Sequence, residues 1–290
     1  EALIRAFNEM VNKKIHIANL SFGEPVNESQ SGIFINVMDT YCRKHNIIFV
    51  TSAGNSGPAL MTIGAPATCS SNVISVGAYA DSSMLTSMYF RNDNEFGKGM
   101  FQWSSRGPTN DGDAGVAIVA PGGAITTVSE WCKSELNLYN GTSMASPYAC
   151  GCIARVLSSI DKIPYFYWVK RHLMNSANEL DFDHHAVGSG LIDVETLYNQ
   201  LENNCEGDYG YDIECNYNKS TSRGILLRNL KDEEKQISID VNITPFFKGK
   251  SNRSFEKVMR VELSESLSDI IDILDEFYIT TNTSSLSVQI

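Results

Sequence analysis

At 290 residues and 42% hydrophobic content, the chain can bury a sizeable core and has room for one large domain and a smaller one. A formal charge of -11 argues against nucleic acid or an anionic membrane as the main partner, because both would repel it. Seven cysteines, an odd number without zinc-like or redox spacing, read as free thiols of a reducing compartment, and no apolar run approaches the length that spans a bilayer.

The chain opens at Glu1 without Met, already in helical periodicity, and closes on the apolar, strand-like Leu286-Ser287-Val288-Gln289-Ile290. Both ends read as cut, so the sequence is expected to be a piece of a longer polypeptide whose leader cannot be judged. Leu3, Ile4, Phe7, Met10 and Val11 predict a helix, and Ile15 to Ser21 a mostly buried strand. Ile33, Val37, Met38, Tyr41 and Cys42 mark one face of a second helix ending near His45-Asn46. Ile47-Ile48-Phe49-Val50 follows as a continuous apolar strand, the pattern of a parallel strand covered on both faces. Strand, helix, strand is the unit of a doubly wound sheet.

Val73 to Ala78 and Val116 to Ala120 continue the pattern, with a polar surface excursion expected between Asp81 and Gly99. A helix after Ser143 carries small residues first and larger ones later, and further helices are expected around Tyr167 to Ala177 and Val194 to Leu201. From Cys205 the texture changes. Ile237, Ile239, Val241 and Ile243 alternate with polar residues, as Val258 to Leu263 roughly do, which predicts half-buried antiparallel strands. Leu267 to Phe277 fits helix or strand. The expected organisation is an α/β domain over 1–204 and a β-rich, incomplete module over 205–290.

Two loops could carry chemistry. In Asn140-Gly141-Thr142-Ser143-Met144-Ala145-Ser146-Pro147, Ser143 lies at the mouth of a helix, and two readings are open: an ordinary N-cap, or a nucleophile beside a positive helix end. Pro147 is expected to fall in the first turn, where its missing N–H costs little. In Thr51-Ser52-Ala53-Gly54-Asn55-Ser56-Gly57-Pro58, at the carboxyl end of a parallel strand, Asn55 is either a turn residue or a side-chain donor to an oxyanion, alongside the Ser143 N–H.

These two stretches resemble the nucleophile and oxyanion segments of the subtilisin-like serine peptidases. Asn19-Leu20-Ser21-Phe22-Gly23, Trp103-Ser104-Ser105-Arg106-Gly107-Pro108 and Val119-Ala120-Pro121-Gly122 match the same family in order and spacing, over about residues 1 to 200. Within it, Ser21 to Glu24, Lys44 to Ile48, Ala120 to Ile125 and Arg223 to Arg228 resemble the tripeptidyl-peptidase branch. The resemblance implies the C-terminal part of a subtilisin-like doubly wound parallel sheet followed by the start of a β-rich domain. It implies Ser143 as nucleophile and Asn55 as oxyanion donor, with Ser21, Gly23, Ser52, Ala53 and Gly54 lining the substrate strand by backbone pairing. It also implies Glu24 as counter-ion for a free substrate N-terminus; without the resemblance Glu24 reads equally as a solvated loop acid.

By the same resemblance the substrates are peptides with a free N-terminus and the intact protein is a large homo-oligomer of the cytoplasm; the mechanism calls for no cofactor, and the charge disfavours nucleic acid and membrane. In that family the catalytic Asp and His precede the oxyanion asparagine. His16 and His45 match neither and read as structural. His172, His184 and His185 follow the nucleophile, and the His184-His185 pair reads as solvated loop rather than metal site. The 290 residues alone are therefore expected to turn over negligibly. A broad endopeptidase and a non-catalytic assembly module are the rival readings.

Overall fold

The computed structural model describes residues 2–26, 29, 33–67, 70–89, 98–126, 128, 131, 136–203, 207–225, 237–249, 256–261, 273, 276–280 and 282–289. They fall into two compact units, Glu1–Asn110 with Ala114–Gly207, and Asp111–Asp113 with Asp208–Ile290.

In the first unit α1 (Ala2–Asn12) leads into β1 (Ile17–Leu20), then α2 (Ile33–His45) into β2 (Ile48–Ser52). Phe7 is the one fully buried residue of α1, and its ring meets Phe34, Tyr41 and Phe49 at centroid distances of 5.4, 5.6 and 5.0 Å. That cluster fixes both helices on β2, and truncating such a ring costs about 3–5 kcal/mol. Asn46 ends α2 in the left-handed conformation, φ 56°. Its side chain accepts from Phe166 N–H at 2.7 Å and donates to the Pro164 carbonyl at 3.0 Å. One asparagine thus closes one helix and caps another, whose own N-cap, Tyr165, gives no side-chain capping bond and instead donates its hydroxyl to the Arg43 carbonyl.

The chain continues through β3 (Ile74–Asp81), α3 (Ser82–Tyr89), β4 (Lys98–Met100), β5 (Ile118–Pro121), β6 (Gly123–Thr126), β7 (Asn137–Asn140), α4 (Thr142–Leu157), α5 (Phe166–Asn175), α6 (His184–Val187) and α7 (Val194–Asn203). A five-stranded sheet has the order β1-β2-β3-β4, with β5 also on β3; all its pairs are parallel except β3 with β4. β2 is buried at every position, as its unbroken apolar run requires. The buried face of α4 begins with Thr142, Ala145, Ser146 and Ala149, all small, so the helix lies close across β1, β2, β3 and β5.

The polar stretch after Asp81 is not wholly a surface excursion. Leu85 and Met88, one helical turn apart, bury one face of α3. The hairpin of β6 and β7 was also not foreseen, and its Ile125, Leu138 and Tyr139 are exposed, so no burial pattern marked it.

The second unit holds β8 (Tyr209–Tyr217), β9 (Ser220–Ser222), β10 (Ser238–Phe247), β11 (Glu256–Arg260), β12 (Glu276–Thr280) and β13 (Ser284–Gln289). One antiparallel sheet runs β13-β10-β8-β9, and β11 pairs with β12. Ile239 and Ile243 of β10 are buried, as the alternation predicts. Most of the ambiguous 267–277 stretch lies outside the described residues, and its end belongs to β12. Arg223 grips Asp111 through two bonds of 2.6 and 2.9 Å and Asp113 at 2.9 Å, tying the short 111–113 segment into this unit.

Candidate active site

β1 and β2 are adjacent and parallel, so the segments that follow them emerge on the same side of the sheet. Those segments contain Ser21 to Glu24 and Ala53 to Gly57. α4 begins beside them. Its N-cap is Gly141, with extended φ 169°, followed by the buried Thr142 and the half-buried Ser143.

Asn55 is bound to the start of that helix. Its Oδ1 accepts from the Thr142 N–H at 3.0 Å and from the Thr142 hydroxyl at 2.9 Å, and the Thr142 Oγ1 in turn accepts from Gly54 N–H at 3.1 Å. With two donors on Oδ1, the amide has one orientation and Nδ2 points away from Thr142. A Cβ built on Gly141 would lie 3.4 Å from Ser143 N and 3.6 Å from Asn55 Nδ2. Two donor nitrogens therefore lie close to one point next to the Ser143 backbone, a placement suited to stabilising developing negative charge. The glycine keeps that point open.

The loop bearing Asn55 is held from below. Gly54 adopts φ +111°, which glycine alone tolerates readily, and its carbonyl accepts from Ser105 N–H at 2.9 Å. Ser105 Oγ accepts from Ser56 N–H at 3.0 Å, and a Cβ on Gly57 would meet the Ser104 carbonyl at 2.1 Å. The stretch from Trp103 to Pro108 is therefore the cradle of the Asn55 loop. Sequence reasoning matched this stretch to a family without giving it a task; its two buried serines between aromatic and glycine were the available signal.

Ser52 and Ala53 are buried, and Ala53 N–H donates to the Val76 carbonyl at 3.0 Å while its carbonyl accepts from Gly64 N–H at 3.3 Å. Gly54 likewise has both backbone groups engaged. Ser21, Phe22, Gly23 and Glu24 are exposed instead. The Glu24 backbone exchanges bonds with Ala65, 3.2 Å to its carbonyl and 2.9 Å from its N–H, so the carboxylate stands on a fixed base at the edge of the crevice.

His16 and His45 do not join this cluster. His16 precedes β1 and His45 ends α2 before β2, so both sit at the amino ends of parallel strands whose carboxyl ends carry the site. Four or five residues at about 3.3 Å each separate the two ends. Burial, and then the neighbouring Lys44, pushes the His45 imidazole below its usual pKa. His184 and His185 lie not on irregular loop but in the one-turn α6, capped by Asp183, which accepts from His185 N–H at 2.9 Å. Cys42, Cys150, Cys152 and Cys215 are free thiols, each with its pKa raised chiefly by burial, so none is an activated thiolate.

Pro147 differs from expectation. α4 starts at Thr142, so the proline is its sixth residue and lies inside the helix, where its missing N–H removes a bond. Among the described residues no helix is long and apolar enough to cross a membrane.

Comparison with known proteins gives a consistent picture. The model of the subtilase family matches residues 1–211. Tripeptidyl-peptidase 2 of Arabidopsis thaliana is 36% identical across 99% of this chain and 22% of its own length, and that of Drosophila melanogaster 35% identical across 85% and 18%. A solved structure of tripeptidyl peptidase 2 superposes with a TM-score of 0.77 at 26% identity, covering 100% of this chain and 23% of that one. The chain thus spans about a fifth of the length of the relatives it matches.

Proposed function

The chain belongs to the subtilase family, with a subtilisin-like α/β unit followed by a β-rich region, and on that premise we propose that it is the nucleophile-bearing part of a tripeptidyl-peptidase. Ser143 Oγ attacks the third peptide carbonyl of a substrate with a free N-terminus. The carbonyl oxygen becomes an oxyanion received by Asn55 Nδ2 and the Ser143 N–H. The C–N bond breaks, the serine proton passes through a general base to the leaving amine, and water then releases the tripeptide from the acyl-enzyme. The observation that carries this reading is the placement of those two nitrogens close to one point beside Ser143.

Ser21 and Gly23 offer the edge along which the substrate backbone pairs, while Ser52, Ala53 and Gly54, whose own groups are engaged inside the protein, form the opposing wall. Glu24 faces the substrate ammonium. The base and its orienting carboxylate come from residues outside these 290: His16 and His45 lie at the opposite ends of the strands that carry the site, and His172 is engaged with Gln200 of α7. Cytoplasmic location and assembly into a large homo-oligomer are part of the same reading; the free thiols fit a reducing compartment.

The test compares release from a tripeptide-linked fluorogenic substrate with release from its N-acetylated form, using the full polypeptide that carries this chain. Strong preference for the free amine is expected; equal rates would sink the tripeptidyl reading in favour of a broad endopeptidase. Labelling of Ser143 by a fluorophosphonate separates either enzyme from a non-catalytic module. The 290 residues alone should label far more slowly, because removing the base forfeits most of the catalysis.

A further inference from the structure

The carbonyl of Ser143 sits in an unusual position. In a regular helix it would accept from the N–H of the residue four places on, which here is Pro147 and has none. The nucleophile's own residue is thereby left with an acceptor that its helix cannot satisfy. The bond is supplied from another element: Ser21 Oγ, just past β1, lies 3.1 Å from the Ser143 carbonyl and 3.0 Å from Ser146 Oγ, and receives Asn19 Nδ2 at 2.9 Å.

The proton inventory fixes the directions. A hydroxyl has one proton and two lone pairs. A carbonyl can only accept and the Asn19 amide nitrogen can only donate, so the Ser21 proton goes to Ser143 and the Ser146 hydroxyl donates to Ser21. All three contacts are then satisfied at once. Ser146 is fully buried in α4, so its hydroxyl has a firm seat.

We propose that the Ser21 side chain is a positioning residue, tying the substrate-pairing edge to the nucleophile turn through the carbonyl that Pro147 leaves open. This rests on the peptidase reading and deepens it, since Ser21 otherwise contributes only its backbone. The tie sets the angle of the first turn of α4, and so the placement of Ser143 Oγ and N–H, from the same strand end that holds the substrate. Misplacement there lowers the chemical step more than binding.

The experiment uses the full polypeptide and a double-substitution cycle of Ser21→Ala with Pro147→Ala. Readouts are the rate of Ser143 labelling by a fluorophosphonate, kcat and KM on a tripeptide substrate, and the unfolding midpoint. Ser21→Ala should slow labelling and kcat roughly three- to tenfold with KM within about twofold, the size expected for one lost hydrogen bond. Ser21→Thr, which keeps the hydroxyl, should restore most of the rate. In the Pro147→Ala background the helix regains its N–H, so the further effect of Ser21→Ala should shrink to within about twofold. Equal Ser21→Ala effects in both backgrounds overturn the proposal. So does coupling in the unfolding midpoint alone, which would leave Ser21 a structural bond. If the unsubstituted polypeptide is not labelled, the peptidase reading itself falls, a failure that this control distinguishes from the other two.

Discussion

At the end of β2, Ser52 and Ala53 are buried and the backbone groups of Ala53 and Gly54 are engaged, so that the exposed Asn55 stands on a fixed base; beyond β1, Ser21 to Glu24 are all exposed. The two segments leave neighbouring parallel strands on the same side, so their difference is one of task rather than place. A donor to an oxyanion must be oriented before the substrate arrives, because reorientation during the reaction would consume the stabilisation it provides. A pairing edge must instead keep its groups outward. The first segment is accordingly saturated by Thr142, Trp103 and Ser105, and the second is held at two points, the Ser21 hydroxyl and the Glu24–Ala65 bridge.

The sharpest way to break this contrast is at Asn55. In Asn55→Asp the two Thr142 donors still hold one oxygen, and an oxygen replaces the nitrogen that points toward the oxyanion. The expected result is a fall in kcat of about 10²–10³ or more with KM little changed, and an unaltered unfolding midpoint. A loss below about tenfold in steady-state kinetics would mean that the prearranged donor is not where the charge develops.

Gly141→Ala comes next. The φ of 169° is available to any residue, so the substitution strains nothing. Its methyl would stand between the two donors instead, at 3.4 and 3.6 Å from them. A loss on the order of tenfold in acylation rate is expected, with the unfolding midpoint held. Unchanged acylation would place the reacting oxygen elsewhere.

On the exposed side, Glu24→Gln removes the charge without removing the backbone bridge that seats it. Discrimination between the free and N-acetylated substrates should narrow by roughly tenfold through KM, the size of one charge-assisted bond. Undiminished discrimination would make Glu24 a solvated loop acid.

How much of this was legible in the sequence follows from which interactions are local. The unbroken apolar run Ile47 to Val50 announced β2, because burial on both faces writes itself into consecutive residues; the spacing of Ile33, Val37, Met38 and Tyr41 announced that α2 exists but misplaced its buried stripe, which is Ile35, Met38 and Cys42, with Ile33 77% exposed. α3 was missed because two buried residues, Leu85 and Met88, are too few to make a period against a polar background. Ser143 and Asn55 stood out as short motifs. Their supports did not: Thr142 meets Asn55 across 87 residues and Ser21 meets Ser146 across 125, and no single-sequence pattern carries contacts of that range. The Pro147 misreading has the same origin, since its cost depends on where the helix starts, and that start is set by the bond between Asn55 and Thr142.

The smallest effect tests the contrast itself, by comparing stability on its two sides without reference to catalysis. Ser105 is fully buried, and its hydroxyl receives the Ser56 N–H next to Asn55. Ser105→Ala removes the acceptor without changing the space, so it should cost about 1 kcal/mol and lower the unfolding midpoint by about 2–4 °C for a unit of this size. Phe22 is 49% exposed on the pairing edge, and Phe22→Ala should stay within about 0.5 kcal/mol despite deleting a far larger group. The ordering is the point, because side-chain volume alone predicts the reverse. If Phe22→Ala proved the more destabilising in thermal unfolding, the edge after β1 would be packed in the native protein, and it could not receive a substrate strand without first being uncovered.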